Sequence, residues 1–157
     1  MKHARKGFTL IELMVVVIIM GILASMSIPY YYKTLEVSKA SDAMAIGHML
    51  GNAYRMYLVD NPTMALSGTI TNTCNTGACD VTSNNVCRIV RCNYVAAQDW
   101  TNASYTFSVG GGVAASTRRR TGAAPGTNNA PYNNWGYNFD LSGTCSAVNG
   151  APACSGF

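Results

Sequence analysis

Histidine, charge and internal repetition are what this chain of 157 residues has least of. Its two histidines, His3 and His48, supply no Ser/His/Asp catalytic set. Asp80, Asp99 and Asp140 are scattered, so they form no Asp-rich calcium loop. Gly110-Gly111-Gly112 has no following lysine and Ser/Thr and opens no helix, which makes it a turn rather than a phosphate cradle. Charged residues are only 11% of the chain. Lys2, Arg5 and Lys6 crowd into the leading residues, which leaves eight of the eleven basic residues against seven acidic ones in the rest. A near-neutral body is a poor general binder of nucleic acid, whose affinity rests on many cationic contacts to phosphate. It packs beside copies of itself without strong repulsion. Enzyme chemistry is not expected, and no cofactor or metal is implied. The length suits one globular domain plus one long helix.

What the chain does have is a long apolar run. Phe8 to Pro29 reads FTLIELMVVVIIMGILASMSIP, and Glu12 is its only charge. At ~1.5 Å per residue the run is ~33 Å long, about the thickness of a bilayer's hydrocarbon core. An ionisable residue inside such a span is costly and points to function. A cut between Gly7 and Phe8 would create an amine four residues before Glu12, on the same helix. That amine and Glu12 can pair within one subunit or between neighbours. An ordinary secretory signal fits poorly, because its apolar stretch is ~7–15 residues and ends in a small-residue cleavage site. Ala24-Ser25-Met26 is a weak match to such a site. A plain membrane anchor accounts for the length but leaves Glu12 and the Gly7-Phe8 junction without a role.

The basic start Met1-Lys2-His3-Ala4-Arg5-Lys6, Gly7 before Phe8, Glu12, and Gly21 and Pro29 within the apolar helix together resemble the prepilins of the type IV pilin family. The resemblance covers roughly the first thirty residues, and its GFTLIEL motif is highly specific. It implies cleavage after Gly7 and N-methylation of Phe8 by a prepilin peptidase. It also implies assembly into a helical filament through an inner-membrane platform, with Glu12 guiding assembly and Gly21 and Pro29 interrupting the helix. The leader charges suit the cytoplasmic side, so the bulk of the chain faces outward.

Six cysteines lie on that outward side: Cys74, Cys79, Cys87, Cys92, Cys145 and Cys154. In an exported domain an even number reads as a disulfide framework. Zinc is the rival, but Cys74-x4-Cys79 and Cys87-x4-Cys92 are looser than the usual Cys-x2-Cys pairs. Val86 to Val95 reads as a strand, which would hold Cys87 and Cys92 ~16 Å apart on opposite faces. That argues against a Cys87–Cys92 bridge and for pairing the Cys74/Cys79 loop onto the Cys87/Cys92 segment. Cys145–Cys154 is then expected to close a small C-terminal loop, similar in placement to the disulfide-bounded loop of many type IV pilins.

The helix should continue past Pro29, loosened there and at Gly21. Lys33 to Asp60 is helix-compatible and is ended by Asn61-Pro62. His48, Asn52 and Arg55 form its one polar stripe; the remaining circumference must be buried on a sheet and on neighbouring subunits. Ser67 to Asn85 reads as a cysteine-pinned loop, and Thr121 to Asn134 as a Gly/Pro/Asn loop. Tyr105, Phe107 and Val109 alternate, as do Trp135, Tyr137, Phe139 and Leu141, so both segments read as strands. The expected class is α+β: a long N-terminal helix, membrane-spanning then amphipathic, packed on a small antiparallel sheet of three to five strands. The expected divisions are a cleaved leader at 1–7, a filament-core helix at 8–29, its amphipathic continuation at 30–61 and a β domain at 62–157.

Three smaller features invite other readings. Arg118-Arg119-Arg120, near Tyr132 and Trp135, is a candidate nucleic-acid patch, or else a solvated strand end. Asn102-Ala103-Ser104 matches a short glycosylation sequon, weak evidence at this length. Tyr30, Tyr31, Tyr32, Tyr54 and Tyr57 are more simply packing and interfacial anchors than a conduction path. The expected function is a structural pilus subunit, first single-pass in the inner membrane with its C-terminus outside, then extracellular. Its expected partners are copies of itself, the peptidase/methyltransferase, the assembly platform and lipid. A type II secretion pseudopilin is the close alternative and a DNA-binding minor pilin a further one.

Overall fold

The computed structural model describes residues 8–121 and 130–154. Its contacts divide the chain into two units, Met1–Glu36 and Val37–Phe157. Helix α1, Leu10–Asp60, runs through both. Thr9 caps it: Glu12 Oε2 accepts from the Thr9 amide and hydroxyl, both at 2.8 Å, while the Glu12 amide donates to Thr9 Oγ1 at 3.3 Å. This reciprocal capping box occupies donors that a helix start otherwise leaves unpaired.

Gly21 and Pro29 both lie inside α1, so the expected interruption is absent as a break. The cause is local. Proline removes a single backbone donor, and the neighbouring turns are rich in helix-forming apolar residues. Ser25 and Ser27 donate their hydroxyls back to the carbonyls of Ile22 and Leu23 at 2.7 and 2.8 Å. The helix stops where Pro62 disfavours a helical Asn61. There the Asn61 amide and side chain both donate to the Tyr57 carbonyl, at 2.9 and 3.2 Å.

Within Val37–Phe157 the helix lies on a five-stranded antiparallel sheet in simple sequential order. The strands are β1 (Gly68–Ile70), β2 (Tyr105–Gly110), β3 (Val113–Arg119), β4 (Gly136–Phe139) and β5 (Cys145–Val148). Period-two alternation turns Tyr105, Phe107 and Val109 inward, opposite Arg119, Thr117 and Ala115. Thr117 and Ala115 in turn face Tyr137 and Phe139 of β4. Against this face α1 buries Ala40, Ala43, Met44, Leu50, Ala53, Tyr54 and Tyr57. Gly47 lets the surfaces approach: a Cβ there would meet the Phe139 ring at 2.1 Å. The expected α+β class, the antiparallel sheet and the Cys145–Cys154 loop are thus what the chain adopts.

Three local expectations are corrected. Val86 to Val95 is no strand; it contains a helical turn, α2 (Arg88–Arg91). Asn85 starts the turn by accepting from the Cys87 amide at 2.8 Å, and Asn93 ends it in the left-handed region at φ 62°. Ser67 to Asn85 is not all loop, since it holds β1 and a 3₁₀ turn at Asn72–Asn75. Leu141 lies beyond β4 and is exposed, because Asp140 folds the chain over: its carboxylate accepts from Ser142 Oγ and from the Thr144 amide and hydroxyl.

Candidate functional site

Two surfaces carry the residues singled out by sequence. The first is the start of α1. Phe8 is 79% exposed, and a shallow groove there is lined by Phe8, Ile11, Glu12, Val15 and Val16. Glu12, with its carboxylate on Thr9, forms no ion pair among the described residues. Gly7 lies outside the described residues. From Leu10 to Leu35 every side chain of the helix is exposed. Among the described residues one helix, this one, is long and apolar enough to cross a membrane. Water is a poor solvent for such a surface, and a helix apolar all round needs covering by lipid or by other helices.

The second surface is the helix beyond Val37, where the line exposed to solvent differs from the expected polar stripe. It follows Ser38, Asp42, Ala45, Met49, Asn52, Met56 and Val59. His48 is only partly exposed and sets its ring edge-on to Phe139, centroids 4.8 Å apart. Arg55 is half-buried and donates to Asn52. The wet face is therefore partly apolar, with Met56 63% and Val59 81% exposed.

The arginine triplet is split by the strand it ends. Arg119 points inward and is 4% exposed; its guanidinium donates to the carbonyls of Ser104 and Arg120 at 2.9 and 3.2 Å. It also sits over the Tyr105 ring at 5.8 Å. Arg118 lies over its register partner Gly136, donating to the carbonyls of Thr117 and Tyr137 and to Asn138 Oδ1. Arg120 reaches the carbonyls of Ala103 and Trp100 at 3.1 and 3.2 Å. Strand alternation divides the cluster and backbone carbonyls occupy its donors, so the three guanidiniums present no common phosphate-binding face.

The cysteines pair as Cys74–Cys87, Cys79–Cys92 and Cys145–Cys154. Two bridges of equal span, 13 residues each, bind both ends of α2 to the loop before it. No group of His, Cys, Asp and Glu able to hold a metal occurs among the described residues.

Sequence reading missed Arg88. It is 4% exposed and spreads its donors over Tyr57 Oη and Asn61 Oδ1, each at 2.8 Å, at the C-terminal end of α1. That last turn has no basic residue of its own. Arg88 supplies the cation that a helix C-terminus favours. Its cue, a basic residue between apolar ones, is hidden when the segment is taken for a strand. Asp99 was likewise set aside, yet it organises a polar loop. Asn72 and Asn102 side chains donate to it at 2.8 and 2.6 Å and hold its carboxyl down at about 2.

Residues 2–28 match the prokaryotic N-terminal methylation motif. The type IV major fimbrial protein FimA of Dichelobacter nodosus is 45% identical over 60 residues, a stretch covering 38% of this chain and 38% of that protein. A fimbrial protein of the same organism is 50% identical over 46 residues, 29% of each chain. The matched stretches thus span 38% and 29% of the lengths of these relatives. No solved structure matches. The methylation motif and the fimbrial relatives make the first third of the chain similar to type IV pilins, and the exposed apolar helix and α+β fold agree with that similarity.

Proposed function

We propose that the chain is a structural subunit of a type IV pilus, processed after Gly7, methylated on Phe8 and polymerised through the apolar segment 8–29. The observation that carries this reading is the helix surface, apolar and exposed from Leu10 to Tyr32, with Glu12 as its one charge. Before assembly lipid covers that surface, with the C-terminus outside the inner membrane. In the filament, helices of neighbouring copies cover it. Cleavage exposes the Phe8 amine, and Glu12 exchanges its contact with Thr9 for that cation, in its own chain or in the next. The exchange gives subunits a charge register inside an otherwise directionless apolar bundle. The peptidase/methyltransferase and an inner-membrane platform are the partners this route needs.

Mass spectrometry of filaments sheared from cells tests the reading. The expected amino terminus is N-methylated Phe8, and Gly7→Val should leave unprocessed chain in the membrane fraction. Filaments carrying an intact Met1 terminus would contradict it.

A further inference from the structure

Tyr30, Tyr31 and Tyr32 follow the apolar run and are 73%, 61% and 50% exposed. Successive helix positions are ~100° apart, so three in a row fan over more than half the circumference. Whichever side of the helix meets a neighbour, at least one ring still faces outward. Residues 13–32 carry no charge, between Glu12 and Lys33. At ~1.5 Å per residue they span ~30 Å, the depth of a hydrocarbon core. The tyrosines therefore stand where the apolar run meets the first cation beyond it. Tyr30 and Tyr31 line a shallow groove with Met26, Ser27 and Thr34. The Thr34 hydroxyl donates to the Tyr30 carbonyl at 3.0 Å. A phenol has an apolar body and a polar tip, which favours the headgroup level of a bilayer.

We infer that Tyr30, Tyr31 and Tyr32 form a phospholipid-headgroup anchor that marks the outer boundary of the span and so sets the depth at which Glu12 is held before assembly. This rests on the reading that residues 8–29 cross the bilayer. Glu12 then lies ~27 Å below Tyr30, close to the opposite headgroups, where a carboxylate is less costly than at the centre.

The full chain, reconstituted in phosphatidylethanolamine/phosphatidylglycerol vesicles, provides the test, with bromine placed either near the headgroup end or near the methyl end of the acyl chains. Tyr31→Trp and Val17→Trp are made separately, and the quenching added over the parent chain is read, which removes the contribution of Trp100 and Trp135. The anchor predicts at least twofold stronger quenching of Tyr31→Trp by the shallow bromine and the reverse preference for Val17→Trp. Adding Tyr30→Ser, Tyr31→Ser and Tyr32→Ser to Val17→Trp should weaken its deep preference at least twofold. A Tyr31→Trp signal that favours the deep bromine, or a Val17→Trp profile unmoved by the three serines, overturns the anchor and leaves the span intact. Absence of any quenching of Val17→Trp rejects the span itself, and the anchor with it.

Discussion

Residues 10–35 and 36–60 belong to one helix and have opposite surroundings. In the first stretch Ile11, Val17 and Met20 are 70%, 62% and 65% exposed; in the second Leu50, Tyr54 and Tyr57 are at most 4% exposed. The second stretch places its small and aromatic residues along one side, which a sheet covers. The first is apolar on every side, and no single sheet can cover it. One helix thus has two characters: its later part is a piece of a domain core, while its earlier part is an exposed apolar surface. Changes in one stretch should therefore be read out by folding, and changes in the other by assembly.

Reduction should separate the two most sharply. Each of the bridges Cys74–Cys87 and Cys79–Cys92 closes 13 residues, a loop for which a cross-link contributes about 3 kcal/mol. All six cysteines lie beyond residue 60. With dithiothreitol the melting midpoint of the Val37–Phe157 unit should fall steeply, followed by near-ultraviolet circular dichroism of its tyrosines and tryptophans. Filaments already formed should stay intact under mild reduction. Filaments that dissolve with the disulfides would erase the distinction.

A matched pair of valine substitutions comes next. At Gly47 a Cβ falls 2.1 Å from the Phe139 ring, whereas at Gly21 nothing lies within 4 Å. Gly47→Val should destabilise the domain by about 3 kcal/mol, the upper end of ordinary overpacking. Gly21→Val should leave the domain's urea midpoint where it was. Equal shifts at the two sites would mean that the stretches are not independent.

The smallest effect is on acid stability. Asp99 and Asp140 are both held down to about 2, Asp99 first by the Asn72 side chain and Asp140 first by Thr144. Because folding lowers them from the ordinary aspartate range near 3.8, their contribution is present above that range and is lost as pH falls toward 2. Asp99→Asn should flatten the pH dependence of the melting midpoint in that window and lower the midpoint at neutral pH, where the carboxylate's contribution is fully present. A variant whose slope between pH 4 and 2 equals the parent's would count against the loop's role.

The same contrast explains what was legible in the sequence. Residues 8–29 were plain because one property, apolarity broken by a single carboxylate, decides their solvent. The alternating strands around Phe107 and Tyr137 were plain because a sheet with one buried face writes period two into its residues. The α2 segment was not, because Ile89 and Val90 favour strand locally, while the turn is held by Asn85, by Asn93 and by bridges to distant cysteines. The arginine triplet misled for a related reason. Three adjacent cations look like one patch in a line of text, but a strand sends Arg119 to the opposite face from Arg118. The wet stripe of α1 was misplaced because Phe139, far along the chain, packs on His48.

The central proposal is that the exposed stretch 8–35 serves assembly and lies outside the core of the sheet domain, with Glu12 deciding whether subunits assemble. The most direct measurement takes Glu12→Ala in cells and reads two quantities from one strain: the amount of subunit in sheared surface filaments, and the melting midpoint of the subunit extracted from the membrane. The account predicts loss of filaments by at least tenfold, with the leader still removed at Gly7 and the midpoint unchanged. Wild-type amounts of filament from Glu12→Ala cells would contradict it.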